Sequence, residues 1–325
     1  MRQSQLFSKT LRDTPRDEVS VNARLLIKAG FVDKLAAGIY SYLPLGLRVL
    51  KKIQNIVREE MGKIGGQEIL LPALIPKELY DTTGRWDKID VLFKLKSRDK
   101  WYALGSTHEE VVTPLIKKFV HSYKDLPLAV YQIQDKFRDE PRAKSGLLRG
   151  REFNMKDLYS FHKDEADFAD FYEKSKQAYL RIFERCGLAA VVAEASGGVF
   201  TDKPSHEFQV FTPHGEDIIF GCPRCRTYKN AEIVKGGKCD DCGSELEENK
   251  AIEVGNIFPL ETRFTKPFDF NFLDSAGQRQ SVLMGCYGIG PSRVMGSVVE
   301  VHHDENGIIW PEAIAPYSFH LISFH

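Results

Sequence analysis

The chain has no excess of either charge: Lys and Arg total 45, and so do Asp and Glu. A domain that grips nucleic acid over its whole surface carries a basic balance, so any polyanion bound here must meet a local patch. Long hydrophobic runs are missing as well. No apolar stretch approaches the ~18 residues that a membrane-spanning helix needs. The N-terminal MRQSQLFSKTLRDTPRDE is polar and charged and does not read as a secretory signal. Cysteine is scarce, at six residues, and four of the six sit in two C-x-x-C pairs. That usage points to metal in a reducing, cytoplasmic compartment rather than to a disulfide framework. No internal repeat or low-complexity stretch is visible. What remains is a globular balance, 42% hydrophobic and 28% charged over 325 residues, which by length suggests about two domains.

Several stretches have readable periodicity. Residues 46–64 place Leu47, Leu50, Ile53, Val57, Met61 and Ile64 at spacings of three and four. That predicts an amphipathic helix, stopped by Gly65 and Gly66. The run EILLPALIP follows and reads as a strand ending near a proline. Residues 108–120 predict another helix. YQIQDKFRDE alternates, with Gln132, Gln134, Lys136, Arg138 and Glu140 on one face and Tyr131, Ile133 and Phe137 on the other. After the polar loop PRAKSGLLRG, the run REFNMKDLYSF puts Phe153, Met155, Asp157 and Tyr159 on one face. Strand, loop, strand predicts an antiparallel hairpin over 131–161 with a long basic loop. The longest helical pattern covers 164–186, begun by Asp164 and ended by Gly187. Strands outnumber parallel crossover units, so the expected class is α+β with an antiparallel sheet.

Three stretches carry residue types suited to chemistry. On the hairpin, Arg138 and Glu140 project from one strand, and the loop adds Arg142, Lys144, Arg149 and Arg151. A guanidinium fork matches two phosphate oxygens at once, though charge alone favours a solvated surface. The second stretch is GCYGIGPSR, a Gly-rich turn entering a helix whose first turn suits Pro291. Free backbone N–H groups and the helix dipole favour an anion there, and Arg293 adds a full charge. It is neither a dinucleotide fingerprint nor a P-loop, because Arg293 stands where the third glycine would and no GK[ST] follows. An ordinary strand-to-helix turn is the alternative.

The third stretch is Cys222 and Cys225, thirteen residues, then Cys239 and Cys242. Two such knuckles can close a tetrahedral zinc site with no open position, so the metal would be structural and would supply folding energy to a small segment. Cys186 ends a helix and reads as a small buried hydrophobe. Cys286 sits beside the Gly-rich turn. His206, in SHEF, is the histidine most open to a site role, against the alternative of a satisfied structural histidine.

The stretches GIYSYLPLGLRVLKKI, TTGRWDKI, THEEV, DLPLAVYQIQDKFRDE, RGREFNMKDLYSFH, SHEFQVF, IEVGNIF, MGCYGIGPSR and GIIWPEAIAP together resemble class II prolyl-tRNA synthetases of the bacterial type, in the family's order. The resemblance implies a six-stranded antiparallel catalytic sheet flanked by helices, and a homodimer. It implies a ligase that uses ATP with Mg²⁺ to activate L-proline and transfers it to tRNA(Pro). Arg138 then resembles the arginine on the ATP α-phosphate and the amino-acid carboxylate, and Arg293 the arginine on the other side of ATP. Glu140 and Arg149 resemble partners of the adenine and phosphate ends, and Phe153 the ring stacked on adenine. Thr107 and Glu109 resemble the proline-reading pair, with Glu109 facing the cyclic amine. Met155, His206 and Cys286 resemble further walls of the proline pocket.

The implied division is a catalytic domain over 1–216, a zinc-ribbon-like insertion over 217–250, the rest of the catalytic domain over 251–316, and a stub over 317–325 where an anticodon-binding domain would begin. The 217–250 segment is too short for the family's large editing domain, so no clearance of alanyl-tRNA in cis is expected. Without an anticodon domain, tRNA affinity should be low. Three positions depart from the family pattern: Ser106 for a common proline, Asn154 for an apolar residue, and Asn256 for a common histidine. Two other readings remain open, a non-catalytic synthetase paralogue and an amino-acid activator serving a carrier other than tRNA.

Overall fold

The computed structural model describes residues 2–13, 18–143 and 145–322. Lys144, in the basic loop, and residues 323–325 of the stub lie outside them. Six α-helices are present among the described residues: α1 (Val21–Lys28), α2 (Pro44–Lys63), α3 (Lys77–Thr83), α4 (Glu109–Ile116), α5 (Glu165–Arg185) and α6 (Pro291–Val301). The first half of the chain adds β1 (Val32–Ala36), β2 (Ile39–Tyr42), β3 (Gln67–Glu68), β4 (Leu74–Pro76), β5 (Lys94–Ser97), β6 (Lys100–Leu104), β7 (Leu128–Phe137) and β8 (Glu152–His162). The second half adds β9 (Ala190–Ala195), β10 (Ser205–Phe211), β11 (Asp217–Gly221), β12 (Tyr228–Asn230), β13 (Glu247–Glu261), β14 (Asn271–Leu273), β15 (Arg279–Ser281) and β16 (Leu283–Ile289).

The long helices begin and end as their sequences direct. In α5 the Asp164 side chain accepts from the Asp167 N–H at 2.9 Å, capping the helix, and Gly187 leaves it at φ +83°. Pro291 opens α6, where its missing N–H has no helical partner to lose. Both helices bury an apolar face against the main sheet. Phe171, Tyr179, Ile182 and Phe183 of α5 and Val294, Val298 and Val299 of α6 share one core with α2 and the sheet.

The main sheet differs from the expected six-stranded antiparallel form. It has nine strands in the order β10-β9-β12-β11-β13-β16-β8-β7-β3, with a further β10–β13 pairing. It is mixed, because β3 runs parallel to β7 and β12 parallel to β9. The segment expected as a separate insertion explains much of the difference. Its strands β11 and β12 do not stand apart but close a ring of pairings, β13–β10–β9–β12–β11–β13. β13 is long enough to belong to both regions. Its start pairs with β11 (Glu247↔Gly221) and its end with β16 (Phe258↔Cys286).

EILLPALIP is also not one strand. Only Gln67–Glu68 joins the main sheet, and Leu74–Pro76 pairs with β6 in a separate three-stranded sheet. Pro72 has no N–H to continue a ladder. Side chains take over: Leu71 N–H donates to Gln132 Oε1 at 2.9 Å, and Gln134 Nε2 donates to the Leu71 carbonyl.

Candidate active site

The hairpin forms as its alternation predicts, with β7 and β8 antiparallel and Gln134 opposite Met155. Alternation then aims Phe153, Met155, Asp157 and Tyr159 of β8 into a cleft of roughly 190 Å³. The same cleft is lined by Arg138 and Glu140 after β7, Arg149 from the loop, Thr107 and Glu109 before and in α4, Cys286 of β16 and Arg293 of α6. Nine of the ten non-metal residues singled out in the sequence therefore meet in one cavity. Of the hairpin charges that could have been a solvated face, Arg138, Glu140 and Arg149 line the cleft, while Arg142 stays exposed.

One end of the cleft is cationic. Arg293 is held on three sides: Nε donates to the Leu148 carbonyl at 2.8 Å, and Nη1 donates to the Glu253 carbonyl at 3.2 Å and to Glu253 Oε2 at 3.0 Å. Arg149 Nε donates to Glu140 Oε2 at 3.0 Å. Arg138 stacks on Phe153, 5.2 Å from the ring centroid. Burial, and then the neighbouring Arg293 charge, pull the Arg138 guanidinium below its ordinary value, yet an arginine stays protonated in a protein. Two cations brought close enough to repel make a cavity that favours a polyanion. Glu216, Asp217 and Glu253 line the adjoining space.

The other end is anionic and closed from water. Glu109 occupies the first turn of α4, where the helix dipole favours a carboxylate. Below it lies a buried chain of polar contacts. Lys136 Nζ is 3.0 Å from Asp157 Oδ1 and 2.7 Å from His108 Nδ1. His108 Nε2 donates to the Pro72 carbonyl at 2.9 Å, so its Nδ1 accepts from Lys136. Burial, then the Lys136 charge, push the His108 pKa down to about 4, which keeps the ring neutral. Tyr159 donates to Asp157 Oδ2 at 2.8 Å and accepts from the His108 N–H at 2.8 Å. Burial and then Glu109 raise the Cys286 thiol well above its ordinary value, so it is a wall rather than a nucleophile.

His206 does not line the cleft. Alternation along β10 turns it to the face that α5 covers, where the Tyr172 hydroxyl meets Nδ1 at 2.9 Å. That hydroxyl donates to the Ile257 carbonyl at 3.1 Å, so His206 donates from Nδ1. Burial first, and then Lys176, hold its pKa near 4. The satisfied structural histidine is what the geometry supports. Its neighbour Glu207 faces the other way, beside Glu253 and Asn256. Burial and then Glu253 lift its pKa to about 7.

The four cysteines of the two knuckles come together with their Sγ atoms within 4.8 Å of one another. Each knuckle repeats one turn: Arg226 N–H donates to the Cys222 carbonyl and Gly243 N–H to the Cys239 carbonyl, both at 2.9 Å. Arg226 (φ 57°) and Gly243 (φ 71°) occupy the same left-handed position. Four sulfurs at that spacing fit a single tetrahedral ion.

Residues 93–302 match the family described as the tRNA synthetase class II core domain (G, H, P, S and T). A proline--tRNA ligase of Ehrlichia chaffeensis is 39% identical, over 100% of this chain and 81% of the relative. The chain belongs to the prolyl-tRNA synthetase family of class II synthetases. A relative of the same description from Pelotomaculum thermopropionicum is 34% identical over 477 residues, covering 99% of this chain and 83% of its own length. That alignment is much longer than this chain, so the relative carries a long stretch with no counterpart here. The Ehrlichia alignment spans 343 residues and needs no such stretch.

Among solved structures, the prolyl-tRNA synthetase of Giardia lamblia, described in complex with prolyl-adenylate, superposes with a TM-score of 0.75 at 21% identity, over 91% of this chain. That of Cryptosporidium parvum, described with L-proline and AMP, gives 0.73 at 17% identity. These likenesses establish the fold, and this chain spans 55% and 54% of those two chains.

Within this family two of the three departures find side-chain partners. Asn154 donates to Asp135 Oδ1 at 3.0 Å and accepts from Gln54 Nε2 at 2.9 Å. Asn256 donates to Glu207 Oε1 at 3.3 Å. Ser106 is itself buried, 4% exposed. None stands in the way of the cleft.

Several site residues were not singled out by sequence reasoning. Arg85, Lys136, His108, Phe200 and Glu253 hold or line the cleft from different elements. Lys136 was assigned to the correct face, and Arg85 lay in the TTGRWDKI stretch. Nothing in spacing alone marked either as a partner of Glu109 or Asp157.

Proposed function

We propose that this chain activates L-proline with ATP to prolyl-adenylate and transfers the prolyl group to the 3′ end of tRNA(Pro). The observation that carries this is the polarity of one cleft. Arg138 and Arg293 stand at one end and the buried Glu109 carboxylate at the other. That is the charge pattern of an amino acid joined to a polyphosphate. Thr107 and Glu109 would take the cyclic amine, with Met155 and Cys286 around the ring. The Arg138 charge neighbours Glu109 as well as Arg293, so from the cationic end it would hold the proline carboxylate and the α-phosphate together. Phe153 would stack on adenine, with Glu140 and Arg149 beside the base and phosphates. Arg293 would neutralise charge on the far side of ATP.

The proline carboxylate is then the nucleophile. It attacks the α-phosphorus, the bond to the β-phosphate oxygen breaks, and pyrophosphate leaves. No general base is needed, because the carboxylate is already ionised. The chain contributes alignment and fixed positive charge. A ribose hydroxyl at the tRNA terminus next attacks the carbonyl, and AMP leaves. Glu216, Asp217 and Glu253 are hard oxygen donors suited to Mg²⁺ arriving with ATP, which would offset phosphate charge. Cys222, Cys225, Cys239 and Cys242 would hold a structural Zn²⁺, consistent with their sulfur spacing. A homodimer and a cytoplasmic location belong to the same reading; among the described residues no helix is long and apolar enough to cross a membrane.

Exchange of pyrophosphate into ATP tests the reading, followed by tRNA charging. Proline alone of the amino acids should drive exchange, and labelled proline should then appear on tRNA(Pro). No exchange with any amino acid would favour a non-catalytic paralogue. Exchange without charging of any tRNA would favour a different carrier.

A further inference from the structure

Behind the amine end of the cleft, three charged side chains are shut away from water. Arg85 is 4% exposed, Glu109 1% and Glu110 0%. Arg85 follows α3, which ends at Gly84 in the left-handed region, φ 67°, a conformation glycine adopts without strain. The Arg85 N–H donates to the Tyr80 carbonyl at 2.9 Å, and the side chain enters the core. Nη1 donates to Glu110 Oε1 at 2.8 Å and lies 3.7 Å from Glu109 Oε2. Thr83 Oγ1 donates to the same Glu110 oxygen at 3.0 Å. The guanidinium also lies 5.1 Å from the Phe200 ring centroid and 5.0 Å from that of Phe264. Phe200 lines the cleft and packs on Phe258 at 4.8 Å.

The charge count is uneven. Two carboxylates face one guanidinium, and nearby Lys136 and Asp157 cancel each other at 3.0 Å. The trio itself keeps one surplus negative charge in a place water does not reach, with Arg138 of the cleft as the further cation near it, and a buried surplus charge favours binding of a cation. Glu110 is turned to Arg85 and Thr83. Glu109 is the carboxylate that lines the cleft, and its Oε2 makes no hydrogen bond. The other groups near Glu109 are Lys136 in β7 and Arg138 after it, Tyr159 of β8, Cys286 of β16 and Tyr80 of α3. Tyr159, Cys286 and Tyr80 are all held neutral by burial, each raised above its ordinary value.

We propose that Arg85 is a positioning residue for substrate selection: it hydrogen-bonds Glu110 at 2.8 Å, stands farther from Glu109 at 3.7 Å, so that the surplus negative charge of the trio faces the cleft on Glu109, and props Phe200 as the wall beside it. The chemistry so selected is a compact apolar ring carrying one ammonium. This rests on the reading of the cleft as a proline-activating site, and it adds a residue that touches no substrate.

The test is proline-dependent pyrophosphate exchange in Arg85→Met, Glu110→Gln, the double variant and Arg85→Lys. Arg85→Met should raise the proline KM about 10- to 100-fold, because two buried carboxylates then share a proton. Glu110→Gln should raise it by a similar factor, since Arg85 is freed to pair with Glu109. The double variant restores one net negative charge and should return the proline KM to within about fivefold of the parent. Arg85→Lys keeps the charge and should also stay within about fivefold. The ATP KM should change less than about twofold throughout, a split that a merely structural role would not give.

A double variant no better than its worse single overturns the proposal. So does a parallel rise of both KM values with a fall in Tm. If Arg85→Met does not fold, Glu110→Gln and Arg85→Lys decide: an unchanged KM in the first, or a large rise in the second at constant Tm, is equally fatal. If the parent itself shows no proline-dependent exchange, the proline reading fails, and this inference falls with it.

Discussion

The two ends of the cleft solve opposite problems with different means. At the phosphate end the arginines are only partly buried, and protein oxygens hold Arg293 at 2.8–3.2 Å. A large anion brings its own charge and some solvent, so the protein needs to hold its cations in place rather than hide them. At the amine end Glu109, Glu110 and Arg85 are nearly inaccessible. A small cation has little surface to recognise, so selection falls to one desolvated charge in a low-dielectric pocket. The difference teaches that burial is used here where the ligand is small and exposure where it is large.

Substitutions that remove one end should not mimic removal of the other. The largest effect is expected for Arg138→Ala, because that charge neighbours Glu109 as well as Arg293. Exchange kcat/KM should fall on the order of 10³-fold, with both KM values affected, because one cation serves both partners of the reaction. If only one KM moves, Arg138 belongs to one end and the comparison needs redrawing. Glu109→Gln comes next. The proline KM should rise about 100-fold while the ATP KM stays put, since the lost interaction is a buried charged contact.

A smaller effect is expected from the cysteine cluster, which lies at the far end of β13. Elemental analysis should find about one zinc per parent chain and less in Cys239→Ser, which should also lower Tm by several degrees, with KM values less affected than stability. A Tm unchanged by Cys239→Ser and by chelation would remove the metal from the account. The smallest effect concerns the histidine outside both ends. His206 is held neutral with a pKa near 4 against an ordinary 6.5. The unfolded chain therefore binds the proton that the folded chain refuses, and stability falls as pH drops from about 6.5 toward 4. His206→Asn keeps a donor toward Tyr172 and should flatten the Tm-versus-pH curve in that window. It should leave the proline KM unchanged, and a rise would return His206 to the pocket.

Much of the site was legible because strand alternation is local. On β8 the faces follow from a period of two, so Phe153, Met155, Asp157 and Tyr159 were grouped correctly from sequence. Caps were legible for the same reason: Asp164 and Gly187 act on their own helix. His206 was given a pocket role by the resemblance alone, while the residue itself read more readily as a structural histidine; alternation does not say which face of β10 meets α5, and the structure turns His206 to that face. The nine-stranded sheet was not legible either. The four cysteines announced a knuckle pair, but not that β11 and β12 would close a ring onto the catalytic sheet.

The sequence by itself determined the long helices α2, α5 and α6, the hairpin, the paired knuckles and the residue types able to meet phosphate, amine and metal. These depend on contacts within a few residues, where backbone sterics and periodicity decide. Only the tertiary structure decided that Arg85 from the end of α3 meets Glu110 from α4, and that Lys136, His108 and Asp157 form one floor. Only it showed that Arg293 is held by a carbonyl 145 residues away in sequence. The physical reason is that a buried charge is defined by what surrounds it in three dimensions. Its partners come from separate elements, and no local pattern records which side chain will arrive to balance it.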